Sequence, residues 1–291
     1  MKITAIYNPI SGNKDINGIK EELKKRFSEH DFEMLKTEKP LHALDLAKDA
    51  VNCGAEIIVA IGGDGTITEI ISGIIDAPVK LGIIPFGTGN MLAANLGIPA
   101  GIAKSVDIIL NGNTKKIDIA SINDRYFAFM AGCGFDAKIM SEVPLERKKK
   151  LGLPAYFIEG FIQAFRSKHA SFRIKLDNKK IIKVKALTIL IANFPNIAGN
   201  IFSIAPQASF SDGLLDVVVI SPENNHDYFS ILWKILAKKD KEENKKIRYY
   251  QAQEIEIKTR PNLLVQADGD IITKTPVKIK VIPQAIEILT P

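Results

Sequence analysis

Residues 57–66 read Ile-Ile-Val-Ala-Ile-Gly-Gly-Asp-Gly-Thr. The first five form a continuous, mostly β-branched apolar run, which predicts a strand buried on both faces of a parallel sheet. The glycines that follow allow a tight turn and bring backbone N–H groups close to phosphate oxygens, where any Cβ would collide. We therefore predict that this turn binds the phosphates of a ligand and does more than connect a strand to a helix.

Thr66 and Glu69 have the Thr-x-x-Glu spacing of a capping box, which predicts a helix that begins near Thr66. The N-terminus of that helix would direct its partial positive charge towards the same turn. Asp64 would then be a lone carboxylate among amide donors, a position that suits a metal ion or metal-bound phosphates better than bare phosphate. The alternative is an ordinary turn with a glycine cap, which three glycines around one aspartate disfavour.

Residues 1–120 alternate between short apolar runs and amphipathic segments, which predicts a doubly wound α/β domain with a mostly parallel sheet. Ile19, Leu23 and Phe27, for example, recur at helical spacing. The predicted strands are 3–7, 32–35, 57–61 and 81–84, and the predicted helices lie around 19–27, at 43–51, and from near Thr66 and Met91.

Residues 121–291 have a different pattern, with many short strands and few helices. Several of these strands alternate apolar and polar residues with period two, which predicts a β-sandwich as a second, substrate-binding domain. The prediction leaves open whether the last strand of this domain returns to the N-terminal domain. Around and after the boundary the predicted strands are 117–122, 127–130, 172–176, 181–192, 214–220, 255–258, 263–267 and 277–281, with helices around 155–165 and 228–236.

Two further loops follow predicted strands, Asn8–Gly12 after the first and Pro85–Asn90 after 81–84. In open α/β sheets ligands bind beyond the carboxyl ends of the strands, so these loops and residues 62–66 together predict a nucleotide site. Thr88 and Asn90 offer neutral hydrogen bonds to phosphate or ribose. The spacing fits neither the G-x-G-x-x-G fingerprint nor a Walker A loop, because Thr88 stands where the Walker lysine would be.

The composition excludes several classes of protein. Among the 291 residues no stretch approaches the roughly 18 to 20 apolar residues that span a bilayer, so the chain is not expected to be transmembrane. The N-terminus lacks the apolar run of a signal peptide. The only cysteines are Cys53 and Cys133, which lack metal-ligand spacing and predict no disulfide scaffold, so a cytoplasmic location is expected.

The net charge of +6 predicts attraction to anions, and much of the excess lies at 147–150 and 238–248. Such runs are commonly solvated surface. Few aromatic residues accompany them and no nucleic-acid motif is present, so we expect no nucleic-acid partner. Peripheral docking on an anionic membrane surface is the favoured interpretation.

Taken in order, the motifs resemble the diacylglycerol kinase catalytic superfamily, especially its bacterial soluble lipid kinases. The resemblance covers nearly the whole chain. It is carried by Asn8–Gly12, Gly62–Thr66, Pro85–Asn90, Ala205–Pro206 leading to Ser211–Leu215, and Gln266–Asp270.

The resemblance implies an ATP site between an N-terminal α/β domain and a C-terminal β-sandwich, and transfer of the γ-phosphate to a lipid hydroxyl, most simply that of diacylglycerol. It implies a structural Mg²⁺ held by the Asp212 side chain and the backbone carbonyls of Ser209 and Leu214; the alternative is an ordinary Asp-Gly turn. The predicted nucleotide-binding set is Asn8, Ser11, Gly12, Thr37, Gly62, Gly63, Asp64, Gly65, Thr66, Ile67, Thr68, Glu69, Gly87 and Thr88.

The catalytic pair is predicted to be Asp64 and Asp270. In the family that the chain resembles, the general base is the glutamate of an Asp-Gly-Glu motif, and this sequence has Asp270 at that place. Aspartate reaches about 1.5 Å less far, whereas a base must come within roughly 2.6–3.2 Å of its partner. The alternative for Asp268–Asp270 is a hairpin turn between strands 263–267 and 277–281.

Two rival functions remain open. An NAD kinase shares the Gly62–Thr66 loop but would need an Asn-Glu pair for the ribose, and Glu223-Asn224 has the reverse order. A regulatory nucleotide-binding protein without turnover is compatible with Asp270.

The sequence leaves a homodimer open. It also leaves open whether six apolar residues line an acyl-chain pocket or form core: Phe157, Phe161, Phe165, Phe194, Ile197 and Phe202.

Overall fold

The computed structural model describes residues 1–11, 16–87, 89–134, 169–197, 202–237 and 246–291. The chain divides into two compact units. The first consists of Met1–Ile117 together with Gln284–Pro291, and the second of Asp118–Pro283.

The first unit alternates strands and helices. The elements are β1 (Lys2–Tyr7), α1 (Ile16–Arg26), β2 (Asp31–Lys36), α2 (His42–Asn52), β3 (Ile57–Gly62), α3 (Asp64–Ile74), β4 (Lys80–Pro85), α4 (Met91–Asn95) and α5 (Ile102–Asn111). Strands β1 to β4 pair in parallel in the order β2-β1-β3-β4, and Glu287–Ile288 of the last strand of the chain extends this parallel array beside β4.

Helices cover both faces of this sheet. Residues 57, 59 and 61 of β3 form one hydrophobic cluster with Leu23 of α1, with Phe27 just after α1 and with Val106 of α5. Ile58 and Ala60 point to the opposite face and are also fully buried. There α2 packs on α3, α2 contacts β1, and α3 contacts β3. The apolar run 57–61 is therefore a strand buried on both faces, and the predicted doubly wound α/β domain is confirmed.

The second unit is built from two sheets of antiparallel strands. After β5 (Asn113–Ile122) the elements are β6 (Arg125–Phe127), β7 (Met130–Gly134), β8 (Ala170–Leu176), β9 (Lys180–Ala186), β10 (Thr188–Ala192), β11 (Asn196–Ile197), β12 (Phe202–Ser203), β13 (Leu215–Ile220), α6 (Asn225–Ala237), β14 (Ile247–Ala252), β15 (Glu254–Arg260), β16 (Leu264–Ala267), β17 (Asp270–Lys274) and β18 (Val277–Thr290). One sheet has the order β14-β13-β10-β7-β16-β17, and the other contains the neighbours β18-β15-β8-β9.

The inner faces of the two sheets form one hydrophobic core. Phe172 and Ile174 of β8 and Ile257 of β15 lie in the same buried cluster as Ile191 of β10 and Val217 of β13. Alternate residues of each strand thus meet in the interior, which is the arrangement of a sandwich. The predicted sandwich is confirmed.

Some element boundaries differ from the prediction. The apolar run 181–192 is two strands, β9 and β10, which belong to different sheets and meet at the buried Leu187. The predicted strand 127–130 is not one strand. Its first residue, Phe127, is the last residue of β6, and its last residue, Met130, is the first residue of β7. The predicted elements do not include α5, β11, β12, β14 or β17. The predicted helix 155–165 lies outside the described residues.

No helix within the described part of the chain is both long enough and apolar enough to cross a membrane.

Candidate functional site

Asn8 joins the loop after β1 to the loop after β3. Its backbone N–H donates to the carbonyl of Ile61 at 3.1 Å, and its Nδ2 donates to Oγ1 of Thr66 at 3.2 Å. Its Oδ1 accepts the backbone N–H of Ile10 at 3.0 Å, and its carbonyl accepts that of Ser11 at 3.2 Å. These bonds hold residues 8–11 as a tight turn against the end of β3.

The loops after β3 and β4 meet through their glycines. The backbone N–H of Phe86 donates to the carbonyl of Gly62 at 3.0 Å. A Cβ on Gly87 would lie 2.4 Å from the Cα of Gly63, and a Cβ on Gly62 would lie 2.7 Å from the Cβ of Thr66. Glycine is thus required at 87 because its loop packs on Gly63, and at 62 because the Thr66 side chain lies against it.

Gly65 has no such neighbour among the described residues. A Cβ built there meets none of their atoms within 4 Å beyond its own helix backbone and chain neighbours, and its φ lies outside the left-handed region. It is the second residue of α3, where alanine would favour the helix by up to about 1 kcal/mol. Neither packing nor backbone conformation explains this glycine, but close approach of a ligand would.

The predicted capping box is wrong. α3 begins at Asp64 with Gly63 as N-cap, so Thr66 is already inside the helix. Glu69 instead accepts backbone N–H bonds from Leu41 at 3.1 Å and Ala43 at 3.2 Å, at the start of α2. The N-cap of α2 is Leu41, which has no side-chain oxygen, so a carboxylate from α3 takes that role. The helix N-terminus nevertheless lies at the predicted turn.

Asp64 is the first residue of α3 and is half-buried. Its Oδ1 accepts the backbone N–H of Leu92 at 3.3 Å, in the first turn of α4. The negative charge is favourable there because it lies at the positive end of the α3 dipole. The carboxylate is thus held at the turn by neighbouring backbone groups.

Other residues of the predicted nucleotide set lie on the same elements. Thr37 is buried directly after β2, and its N–H donates to the carbonyl of Tyr7 at 2.9 Å. The side chain of Ile67 is fully buried, and its N–H bonds to the carbonyl of Gly63 at 3.1 Å, so Ile67 belongs to the core of the unit. Thr68 is half-buried in α3. Gly12 and Thr88 lie outside the described residues.

Asn90 shapes the loop that follows β4. Its Oδ1 accepts the backbone N–H of Gly87 at 2.8 Å, and its Nδ2 donates to the carbonyl of Gly87 at the same distance. It adopts a φ of 46° just before α4. Both polar atoms of the side chain thus bond within this loop.

In the second unit, Asp268 and Gly269 form the two-residue turn of the hairpin β16–β17, with φ values of 47° and 98°. The Asp268 carboxylate accepts the backbone N–H groups of Ala128 at 2.7 Å, Phe129 at 2.9 Å and Met130 at 3.1 Å. Asp268 thus anchors the segment between β6 and β7. This role could not be predicted from the sequence, because the partners of Asp268 lie some 140 positions away.

Asp270 is exposed and is the first residue of β17, opposite Ala267 of β16. The hairpin alternative named the wrong second strand, since β17 rather than 277–281 pairs with β16. Asp64 belongs to the first compact unit and Asp270 to the second.

The predicted magnesium loop lies in the second unit between β12 and β13. Asp212 is exposed, and its Oδ1 accepts the N–H of Leu214 at 3.0 Å. Gly213 has a φ of 72° and donates its N–H to Oδ2 of the fully buried Asp118 at 2.7 Å. An Asp-Gly turn is therefore present, and its carboxylate and carbonyl oxygens are the donor type that Mg²⁺ prefers.

Negative charge accumulates around this loop. Burial, reinforced by the neighbouring Asp212 charge and opposed by a hydrogen bond from Gln251, raises the pKa of Asp216 to about 6. A cation bound beside Asp212 would offset that charge, so the residues present fit a divalent ion. Within the described residues, no group of three or more His, Cys, Asp or Glu side chains is arranged to hold a metal.

Of the six apolar residues that could line an acyl-chain pocket or form core, the structure describes the side chain of one. Phe194 is buried and packs its ring on Phe129 at 5.4 Å and on Phe210 at 5.1 Å, so it belongs to a core cluster. The side chains of the other five lie outside the described part of the structure.

Comparison with known proteins identifies the family. Residues 2–122 match the family described as Diacylglycerol kinase catalytic domain, and residues 130–290 match the YegS C-terminal NAD kinase beta sandwich-like domain. A protein of Staphylococcus epidermidis named Diacylglycerol kinase is 30% identical over 290 residues, which cover 98% of this chain and 91% of that protein. This chain belongs to the diacylglycerol kinase family.

Solved structures agree on the fold of this diacylglycerol kinase family member. A diacylglycerol kinase structure from Bacillus anthracis str. Sterne matches with a TM-score of 0.78 at 22% identity, covering 100% of this chain and 97% of the other. Yeast NADH kinase in complex with NADH matches with a TM-score of 0.55 at 11% identity, covering 100% and 84%. Both matches show a shared fold.

Proposed function

We propose that this chain transfers the γ-phosphate of ATP to the hydroxyl of a lipid, with a diacylglycerol-like acceptor. The observation that supports the proposal most directly is the direct contact among the loops after β1, β3 and β4, which gathers glycines and the N-terminus of α3 at one sheet edge. Family membership supports phosphoryl transfer. Relatives named Diacylglycerol kinase support a lipid acceptor.

The nucleotide phosphates are proposed to lie against the turn at residues 62–66. Gly65 carries no side chain that would keep a ligand away from the backbone, and the positive end of the α3 dipole lies at this turn, so both would favour phosphate oxygens there. Thr37 and Thr88 complete the proposed contacts. Gly63 and Gly87 contribute by letting their two loops touch.

Magnesium is proposed at two places. Asp64 would hold the ion that accompanies the nucleotide, and Asp212 with the carbonyls of Ser209 and Leu214 would hold a structural ion. When bound, Mg²⁺ at the nucleotide neutralises the charge that develops on the phosphates during transfer.

Asp270 is proposed as the general base. It would accept the proton of the lipid hydroxyl as that oxygen bonds to the γ-phosphorus, while the bond to the β,γ-bridging oxygen breaks and ADP leaves. Its exposure leaves it open to a substrate from solvent or from a membrane surface.

Replacement of the two carboxylates tests the proposal. With labelled ATP and dispersed diacylglycerol, Asp64→Ala and Asp270→Asn should each lower turnover by about 100- to 10,000-fold. Asp270→Glu should preserve or raise turnover, since it restores the reach of the family's glutamate. The matched control is Asp124→Asn, another exposed aspartate of the second unit, which should retain full activity. Full activity of both Asp64→Ala and Asp270→Asn would contradict the assignment.

The NAD kinase alternative has one specific support, the NAD kinase-like description of the C-terminal family match. Labelled ATP supplied with NAD, with diacylglycerol and with a total lipid extract separates the two functions. We expect label in a lipid and none in NADP. Nucleotide binding without transfer to any of these acceptors would favour the regulatory alternative.

We also propose that the protein is cytoplasmic and associates peripherally with the membrane.

A further inference from the structure

One outward surface of the second unit is strongly basic. Strands β9, β8 and β15 are adjacent, and their residues alternate between buried and exposed. The buried set packs into the sandwich core. The exposed set includes five cations, which we call the cationic face: Arg173, Lys183, Lys185, Lys258 and Arg260.

The cations of this face lie directly beside one another. Lys183 of β9 is in register with Arg173 of β8, and Arg173 is in register with Lys258 of β15. Two residues along, Lys185 and Arg260 flank Ser171 in the same way. Like charges placed opposite each other destabilise a sheet, so this arrangement is costly for the isolated protein.

Carboxylates do not balance the cationic face. None of its five members forms an ion pair with another residue of the described ranges. The nearest carboxylate in the register is Glu256, one row further on, where it faces Lys175 of β8 and Lys278 of β18. A shallow depression of about 630 Å³ lies over the face and is lined by all five cations.

We propose that the cationic face docks on a bilayer that contains anionic phospholipids. Three adjacent strands present the charges as a broad patch, about 10 Å across the strands and about 7 Å between rows, which suits a surface of many headgroups. Each Lys or Arg near such a surface strengthens binding by about five-fold. Negative headgroups would also relieve the repulsion between neighbouring cations.

The composition of the face favours a membrane over nucleic acid. Its exposed side chains in the described strands include no aromatic ring on which a base could stack. A three-stranded sheet face is also broader than the helix or two-stranded ribbon that the DNA major groove admits. Ile181, which is 50% exposed, lies opposite Lys175 at the edge of the face and offers an apolar side chain to the lipid interface.

Docking by the cationic face does not involve the proposed catalytic residues. The face is also distinct in sequence from the charge runs 147–150 and 238–248. Because the test measures vesicle binding and not turnover, its failure would leave the proposed phosphoryl transfer standing.

The test uses the full chain and vesicles of phosphatidylcholine, with or without an equal share of phosphatidylglycerol. We expect the wild type to float with the anionic vesicles and not with the neutral ones. The triple variant Lys183→Gln, Lys185→Gln, Lys258→Gln should bind anionic vesicles about a hundred-fold more weakly. The matched control, with the same loss of charge on exposed helix positions of the first unit, is Lys24→Gln, Lys48→Gln, Lys104→Gln, which should bind like the wild type.

The proposal would be overturned by equal binding to both kinds of vesicle, by unchanged binding of the triple variant, or by an equal loss in the control. Tight, salt-sensitive binding of the wild type to RNA or DNA without binding to anionic vesicles would assign the face to nucleic acid instead. Raising the salt from about 0.1 M to about 1 M shortens the Debye length from about 10 Å to about 3 Å, so vesicle binding should be lost.

Unfolding by heat supplies an independent measurement. Since neutralising Lys183 and Lys258 removes the repulsion with Arg173, the triple variant should unfold at the same temperature as the wild type or a higher one. That result separates weaker vesicle binding from damage to the fold. A lower unfolding temperature would show that the cations stabilise the sheet. That result would contradict the inference that their mutual repulsion destabilises the isolated protein.

Discussion

Gly65 and Gly87 belong to the same group of loops but have different surroundings. Gly87→Ala would place a Cβ 2.4 Å from the Cα of Gly63, so we expect it to lower the free energy of unfolding by about 1 to 3 kcal/mol. The Cβ of Gly65→Ala meets no further atom of the described residues within 4 Å, so this variant should keep or raise that free energy by up to about 1 kcal/mol. Urea unfolding measures both.

The same two variants separate structure from binding. If nucleotide phosphates approach Gly65, its alanine variant should bind ATP at least about ten-fold more weakly although it is as stable as the wild type. Calorimetric titration with Mg-ATP makes the comparison. Wild-type affinity in Gly65→Ala would show that the phosphates lie elsewhere.

The two aspartates of the β16–β17 turn should have separate effects. Asp268 accepts three backbone N–H bonds, so Asp268→Asn should destabilise the protein by about 2 kcal/mol. Asp270 is exposed, so Asp270→Asn should change the free energy of unfolding by less than about 0.5 kcal/mol while it abolishes transfer. Chemical denaturation of both variants is the measurement. Strong destabilisation by Asp270→Asn would mean that its loss of activity reflects damage to the fold.

At the scale of elements, α6 contains the capping box that α3 lacks. Oδ1 of Asn224 accepts the N–H of Asp227 at 3.1 Å, and Oδ2 of Asp227 accepts that of Asn224 at 3.2 Å and that of Glu223 at 2.7 Å. Removal of the cap by Asn224→Ala should cost about 1 kcal/mol in thermal or urea unfolding.

The cap also predicts a dependence on pH. The Glu223 N–H, aided by that of Asn224 and by Lys246, lowers the pKa of Asp227 below its ordinary value of 3.8 in spite of burial. This stabilisation is therefore complete well above pH 3.8 and is lost as the pH falls through the lowered value. Asp227→Asn should be less stable than wild type at pH 7, and the difference should shrink in acid. A difference that does not change with pH would contradict the assignment.

A pattern of four residues cannot decide where a helix starts. Thr66–Glu69 has the spacing of a capping box, yet the helix begins at Asp64, because Gly63 must pack on Gly87 and Glu69 bonds to the start of α2. The boundary between β9 and β10 was missed for a similar reason. An apolar run gives no sign of the point at which the chain passes from one sheet of the sandwich to the other.

For the whole molecule, nucleotide binding should appear as added stability. A ligand that binds only the folded protein at about 100 times its dissociation constant adds about 2.7 kcal/mol to the free energy of unfolding. We therefore expect Mg-ATP to raise the unfolding temperature by several degrees and NAD to leave it unchanged. Thermal scans with each nucleotide, with and without a chelator of Mg²⁺, test this. A larger shift with NAD would favour the NAD kinase alternative.

The amino-acid sequence by itself determined the two-part architecture and the family. Periodicity of three to four residues, runs of β-branched residues and glycine-rich turns are local properties, and they survive without knowledge of any distant contact. The motifs from Asn8 to Asp270 are likewise readable in order along the chain, which is why the membership in the diacylglycerol kinase family could be predicted.

Only the tertiary structure decided how individual side chains are used. The side chain of Asn90 accepts a hydrogen bond within its own loop, that of Glu69 accepts one from α2, and that of Asp268 accepts one from a segment some 140 positions away. The cationic face is likewise assembled from three strands, whose charges are scattered between residues 173 and 260 in the sequence. Hydrogen bonds and electrostatic repulsion act over a few ångströms, so they depend on which residues folding makes neighbours, and sequence spacing does not record that.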